Sequence, residues 1–392
     1  MRSEDLSTWC IMFNWSSIGM CIVLVQKDLV VVKPGWIFDP QPPSNPTLHP
    51  HRSTPKRWNP SHPSLSHLQI LNPISSGTYG TVSRALSSQT NTVLAVKQTP
   101  LSPTHNNGFP TPTLREITSL HTLSHERIVT LVEAILTPES VYLVMEYLPH
   151  DLQSLLASHP GRFTLSETKT LLSHLTSGLG YLHRKWLVHR DIKPSNLLLG
   201  PHGLKIADFG SSRLIGEPRP GNLTSVVTTL WYRAPEVLLG ERFYGREVDL
   251  WATGCVFAEL VKCVPVMEGR TETDQLDKIS TVCGGFDAAW PKWRALSNAG
   301  LVKSSGKKKG ALRDMFGDSL TERGLDLLQG LLTLDPEKRL SAEEVLNHEW
   351  FTEHPQPKDM TLFPSFPSRA GREKRLADDE PEKPPREKKV HL

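Results

Sequence analysis

"LVHRDIKPSNLLL", Leu187 to Leu199, and "GLKIADFG", Gly203 to Gly210, decide how this chain is read. Two apolar, β-like runs flank a charged loop holding Arg190, Asp191, Lys193 and Asn196. Asp208 then closes the next apolar run. Carboxylates and an amide placed this way suit a proton-accepting base together with ligands for a hard, oxygen-seeking cation such as Mg2+.

Working outward, "ISSGTYGTV", Ile74 to Val82, lies between two strand-like runs. A glycine hairpin there could fold over phosphates, because backbone N–H groups approach an anion closely only where no Cβ intervenes. Gly77 and Gly80 could equally be simple turn residues. The strand "LAVK" follows and ends on Lys97. A lysine in an apolar strand is costly unless a carboxylate or phosphate meets it, although an edge lysine can snorkel to water. "FPTPTLREITSL", Phe109 to Leu120, sets Pro110 and Pro112 ahead of a helix carrying Glu116. "WYRAPE", Trp231 to Glu236, completes the set downstream.

The 392 residues are 38% hydrophobic and 22% charged, with a net charge of +3. That charge is too small to argue for direct nucleic-acid binding or for attraction to a membrane surface. Five cysteines without C-x-x-C spacing point to free thiols and away from zinc or a disulfide framework. The apolar stretch Trp9 to Val25 is short for a span and is broken by Asn14, Ser16 and Ser17, so an unusual N-terminal extension is expected over an anchor. Residues 34–63 hold nine prolines and read as a linker. Short β-rich runs begin at Leu68, with one helix among them. After Leu148 the pattern turns helical, opening at Thr164 and Glu167 with capping-box spacing and a leucine face of Leu171, Leu172, Leu175, Leu179 and Leu182. A second amphipathic series runs from Val248 to Val261. The expected organisation is an extension and linker over 1–67, a strand-rich lobe over 68–148, a helix-rich lobe over 149–351, and a solvated, mixed-charge tail over 352–392.

In order, the chain carries a glycine loop, "LAVK", a helical glutamate, H-R-D-x-K-x-x-N, D-F-G and A-P-E. This set resembles the eukaryotic protein kinase signature. The resemblance implies an α+β, two-lobed kinase fold using ATP and Mg2+. It makes Asp191 the base for the substrate hydroxyl and Lys193 the lysine that neutralises the transferred phosphoryl group. Asn196 and Asp208 would hold Mg2+, and Lys97, paired with Glu116, the α- and β-phosphates. Thr229 joins the catalytic set. The nucleotide would be held by Ile74, Gly77, Gly80, Val82, Ala95, Met145, Glu146, Leu148, Asp151 and Leu198.

"PTLRE", "GTYG", "DIKPSN" and "VVTTLWYRAPE" are similar to the cyclin-dependent kinases, nearest the PITSLRE and PISSLRE branch. This implies a Ser/Thr kinase in cell-cycle or transcription and RNA-processing control, nuclear and/or cytoplasmic. A cyclin would grip Pro110 to Glu116 and swing the helix so that Glu116 reaches Lys97. Thr224 stands at the activating phosphothreonine, with Arg115, Arg190 and Arg213 expected to converge on it. Thr78 and Tyr79 match the inhibitory pair in the glycine loop. Arg233 resembles the residue that favours proline after the phosphoacceptor, so substrates would carry Ser/Thr-Pro. Departures are Ser75 for the first loop glycine, Ser211-Ser212 where the family has Leu-Ala, and Thr228 for a valine of the proline pocket. Thr228 bears on substrate specificity, while Ser75 and Ser211 keep open a second reading, a catalytically weak scaffold that binds a cyclin.

Overall fold

The computed structural model describes the backbone of Ile22–Val25 and Asp28–Val31, and residues 65–77, 80–101, 109–158, 163–215, 230–302 and 309–366. The linker 34–63 and the charged tail from Arg369 lie outside these. Of the apolar stretch Trp9 to Val25, only β1 (Ile22–Val25) is described; it pairs antiparallel with β2 (Asp28–Val31), Ile22 opposite Val31. No helix among the described residues is long and apolar enough to cross a membrane.

The small lobe is a five-stranded antiparallel sheet built from β3 (Leu68–Gly77), β4 (Gly80–Ser87), β5 (Val93–Pro100), β6 (Leu131–Leu136) and β7 (Ser140–Glu146), in the order β3-β4-β5-β7-β6. Leu68, Ala85, Val96, Ile135 and Val144 form its core. Helix α1 (Thr111–Thr122) crosses over between β5 and β6. It begins at Thr111, with Pro110 at the N-cap and Pro112 within the first turn. Neither proline breaks it, because first-turn N–H groups have no intrahelical acceptor to lose.

The large lobe opens with β8 (His150–Asp151), α2 (Leu152–Ser158) and α3 (Leu165–Arg184), followed by the short strands β9 (Leu187–Val188), β10 (Leu197–Gly200), β11 (Gly203–Ile206) and β12 (Arg213–Leu214). It continues through α4 (Pro235–Leu238), α5 (Glu247–Lys262), α6 (Glu272–Cys283), α7 (Phe286–Ala289), α8 (Leu312–Phe316), α9 (Glu322–Leu331) and α10 (Ala342–Leu346). The capping box at the start of α3 is formed: Glu167 N donates to Thr164 Oγ1 (3.3 Å) and Thr164 N to Glu167 Oε2 (2.8 Å). Its leucine face is sealed, with all five leucines at most 1% exposed. Helix α5 differs from the amphipathic expectation. Every residue from Val248 to Leu260 is buried, so the helix is surrounded by the lobe rather than lying on it. The described cysteines, Cys255, Cys263 and Cys283, are free thiols.

Two features were not expected. Glu236 of the A-P-E motif meets Arg339 in a fully buried, bidentate pair (2.7 and 2.9 Å). Arg339 also donates to Glu247 O and Thr333 O and lies over the Trp251 ring, so the burial of its charge is compensated on every side. The second feature lies in the first part of the expected tail. Residues 352–366 run back along α3 rather than lying free in solvent. Lys358 Nζ reaches Glu167 Oε1 at 2.8 Å, and Lys169 Nζ donates to Glu353 O at 2.8 Å. Phe366 sits beside His150 and Phe163. This segment has no helical or strand period, so only its tertiary contacts reveal it.

Arg339→Ala leaves Glu236 buried without its cation and should cost about 3–5 kcal/mol in denaturant unfolding. The apolar pair Arg339→Met with Glu236→Leu should cost less than that single change.

Candidate active site

The catalytic-loop geometry starts from Asp249, in the first turn of α5 and 1% exposed. Its Oδ2 accepts from His189 N (2.9 Å) and His183 Nε2 (3.0 Å), and its Oδ1 from Arg190 N (2.8 Å). Burial works to raise the Asp249 carboxyl, but the hydrogen bond and charge of His183 outweigh it and hold it below the usual range. These bonds fix Arg190 in a left-handed conformation, φ +69°. His189 Nε2 donates to Ala207 O (3.1 Å), its Nδ1 accepts from Asp191 N (3.3 Å), and its ring meets Phe209 edge-on. The loop is thereby tied to the D-F-G turn.

On this frame Asp191 Oδ2 accepts from Lys193 Nζ (2.9 Å) and from Asn196 Nδ2 (3.0 Å), which also donates to Asp191 O (2.8 Å). Both of these Asn196 bonds use the amide nitrogen, so its carbonyl oxygen points the other way.

Lys97 stands between two carboxylates. Its Nζ is 2.7 and 3.0 Å from the Glu116 oxygens and 3.3 Å from Asp208 Oδ1. Burial works to lower the Lys97 value, but Glu116 and Asp208 more than offset it and hold the amine above its ordinary range. Burial pushes the Glu116 carboxyl up against the pull of Lys97. Asp208 shows the opposite balance: burial would raise it, and Lys97 foremost holds it low. Two carboxylates around one ammonium leave an excess of negative charge. Together with the Asn196 carbonyl, that excess suits a hard divalent cation. Asp208 itself adopts φ +64°, strained for a residue with a Cβ, and its carboxylate accepts from Gly210 N.

The expected nucleotide residues fall on facing strands. Val82 lies opposite Lys97, Ala95 opposite Met145, and Leu198 opposite Asp151. Gly77 pairs with Gly80, where φ is +126° and a Cβ would come within 1.9 Å of Gln98 O, so Gly80 admits no side chain. Ile74 is 40% exposed on β3. The Glu146 carboxylate accepts from Lys205 Nζ (2.7 and 2.9 Å) and Thr130 N (2.7 Å), so any contact with a nucleotide falls to its main chain. Leu148 packs against Gly200.

Thr78, Tyr79, Thr224, Thr228 and Thr229 lie outside the described residues, so the convergence expected at Thr224 has no geometry here. Arg190 donates from Nε to Ser211 O (2.7 Å) and from Nη1 to Tyr244 Oη (2.9 Å). Arg115 lies beside Glu116 on α1, and Arg213 opens β12. Arg233 Nη1 lies 3.5 Å from Glu272 Oε1. Sequence reasoning gave no role to Asp249, Tyr244 or the Glu236–Arg339 pair. The one available signal was an acid heading the otherwise apolar run "VDLWATGC".

The protein kinase domain family matches residues 68–351. A serine/threonine-protein kinase of Schizosaccharomyces pombe, ppk23, is 43% identical over 311 residues, covering 78% of this chain and 78% of its own. Cyclin-dependent kinase G1 of Arabidopsis thaliana is 42% identical over 78% of this chain, and human cyclin-dependent kinase 11B is 40% identical over 78%. This chain belongs to the protein kinase family, in its cyclin-dependent group. It is an ATP-dependent serine/threonine kinase, and these relatives do not favour the scaffold alternative. The alignments span 52% of the plant kinase and 39% of the human one.

Asp249→Asn presents an amide to donors that need an acceptor. Misplacing the catalytic loop by an ångström should lower kcat about 100-fold in a phosphotransfer assay, with the fold retained by circular dichroism. The folded Asp249 value lies below the unfolded value of about 3.9. Its stabilisation is therefore complete above that pH and is lost as pH falls through the folded value. In denaturant titrations the variant should flatten stability against pH only in that acidic window.

Proposed function

We propose that this kinase transfers the ATP γ-phosphate to serine or threonine followed by proline in protein substrates, under the control of a cyclin bound at Pro110 to Glu116. The carrying observation is Lys97 held by Glu116 and Asp208 beside an Asp191 fixed by Asn196 and Lys193. In this reading Asp191 orients the substrate hydroxyl and takes its proton, and Lys193 balances charge on the group in flight. Lys97 fixes the nucleotide phosphates, while Asn196 and Asp208 hold Mg2+. When bound, the cation would neutralise phosphate charge. Thr229 completes the catalytic set by resemblance.

Glu116 rides on α1, whose position sets its distance from Lys97. A subunit gripping the half-buried, proline-shaped start of that helix would control the pair, and relatives bearing the name cyclin-dependent kinase support this assignment. A phosphate on Thr224, carrying about −1.5 to −2 charge, would draw Arg115, Arg190 and Arg213 together and order the loop. The kinase would act in the nucleus and/or cytoplasm.

With enzyme purified from cells together with its bound subunit, Asp191→Asn should lose about 10²- to 10⁴-fold in turnover; equal phosphotransfer would overturn the assignment of the base. Thr224→Ala should lower turnover markedly with the subunit still bound. Glu116→Gln should damage catalysis more than subunit binding in a pull-down. A Ser-Pro peptide should be preferred to its Ser-Ala counterpart.

A further inference from the structure

The family places Leu-Ala after D-F-G, and this chain places Ser211-Ser212 there. Ser212 is 2% exposed. Its Oγ donates to Phe209 O at 2.7 Å and lies 3.0 Å from Ser119 Oγ on α1. A hydroxyl has one proton, and that of Ser212 is committed to the carbonyl, so Ser119 is the donor across the gap. The two serines are 93 positions apart in sequence, so this is a tertiary contact between the regulatory helix and the D-F-G turn.

We propose that Ser119 and Ser212 form a hydroxyl clasp that holds α1 in the position where Glu116 reaches Lys97, which makes both serines positioning residues for phosphotransfer. Ser119 lies three positions after Glu116, one helical turn along the same face. Helix α1 therefore engages the D-F-G region twice, through Lys97 bridging Glu116 to Asp208 and through Ser119 to Ser212. Gly210 lies beneath the first turn of α1, where a Cβ would meet Pro112 at 3.5 Å. From the catalytic loop, Arg190 Nε donates to Ser211 O at 2.7 Å. With the turn fixed there, an outward swing of α1 takes the donor away from the buried Ser212 oxygen. One neutral hydrogen bond changes an equilibrium by about 2- to 10-fold. That is enough to bias the helix while leaving a partner in control of it. The consequence for catalysis rests on the kinase reading; the clasp itself does not.

The test is amide hydrogen exchange on the full chain without added nucleotide or partner, for wild type, Ser119→Ala, Ser212→Ala and the double variant. Ser119→Ala should speed exchange across the gap in 209–213, and Ser212→Ala should speed it in Thr111–Thr122, each about 2- to 10-fold. The double variant should be no faster than the faster single. Ser119→Thr, which keeps the hydroxyl, should restore both segments. Ser212→Ala installs the residue the family carries there, and Ser119→Ala alone must still loosen 209–213 should the other variant fail to fold. Exchange that changes only in each variant's own segment, or losses that multiply in the double variant, would overturn the clasp. Intact coupling without phosphotransfer would fault the kinase reading and leave the clasp standing.

Discussion

A single ammonium group, Lys97 Nζ, holds two carboxylates from different parts of the chain, and the small lobe can be understood from that constraint. The three side chains are unequally exposed: Glu116 3%, Lys97 14% and Asp208 36%. Glu116 has almost no water to turn to, so separating it from Lys97 leaves a buried, unpaired charge at a cost of about 3–5 kcal/mol. Asp208 is partly solvated and can exchange Lys97 for another cation at lower cost. The ammonium is thus strongly tied to the helix and loosely tied to the D-F-G turn. That asymmetry suits a site where phosphate and metal must enter between the last two.

The large lobe supplies a buried frame for the catalytic loop. Asp249 heads a helix buried along nearly its whole length, and its two oxygens accept three hydrogen bonds from the catalytic loop and from α3. The Glu236–Arg339 pair fastens the other end of the activation segment to the same core. Against that fixed frame, the position of α1 alone sets the distance from Glu116 to Lys97, so a regulator acting on one helix could control chemistry whose other described groups are already in place.

The kinase fold and its cyclin-dependent affinity were legible because their motifs are local: H-R-D-x-K-x-x-N and D-F-G each place several functional groups within a few residues. The α3 capping box and leucine face were legible for the same reason, since a helix period needs no tertiary knowledge. What escaped was long-range. Glu236 and Arg339 are 103 positions apart, and neither residue announces the other. Asp249 reads as an ordinary acid in a first helical turn until the backbone N–H groups of His189 and Arg190 are seen to converge on it. The 352–366 segment has aromatic residues without a period. Ser212, read only as a departure from the family, is bonded on both sides of its oxygen.

The most direct measurement is a double-mutant cycle on kcat/KM for ATP with Lys97→Met, Glu116→Gln and both together, using one preparation with its bound subunit. If both residues act through the position of one ammonium, the double variant should be no worse than Lys97→Met alone. Losses that multiply would mean that Glu116 serves catalysis by a separate route, and would contradict the account.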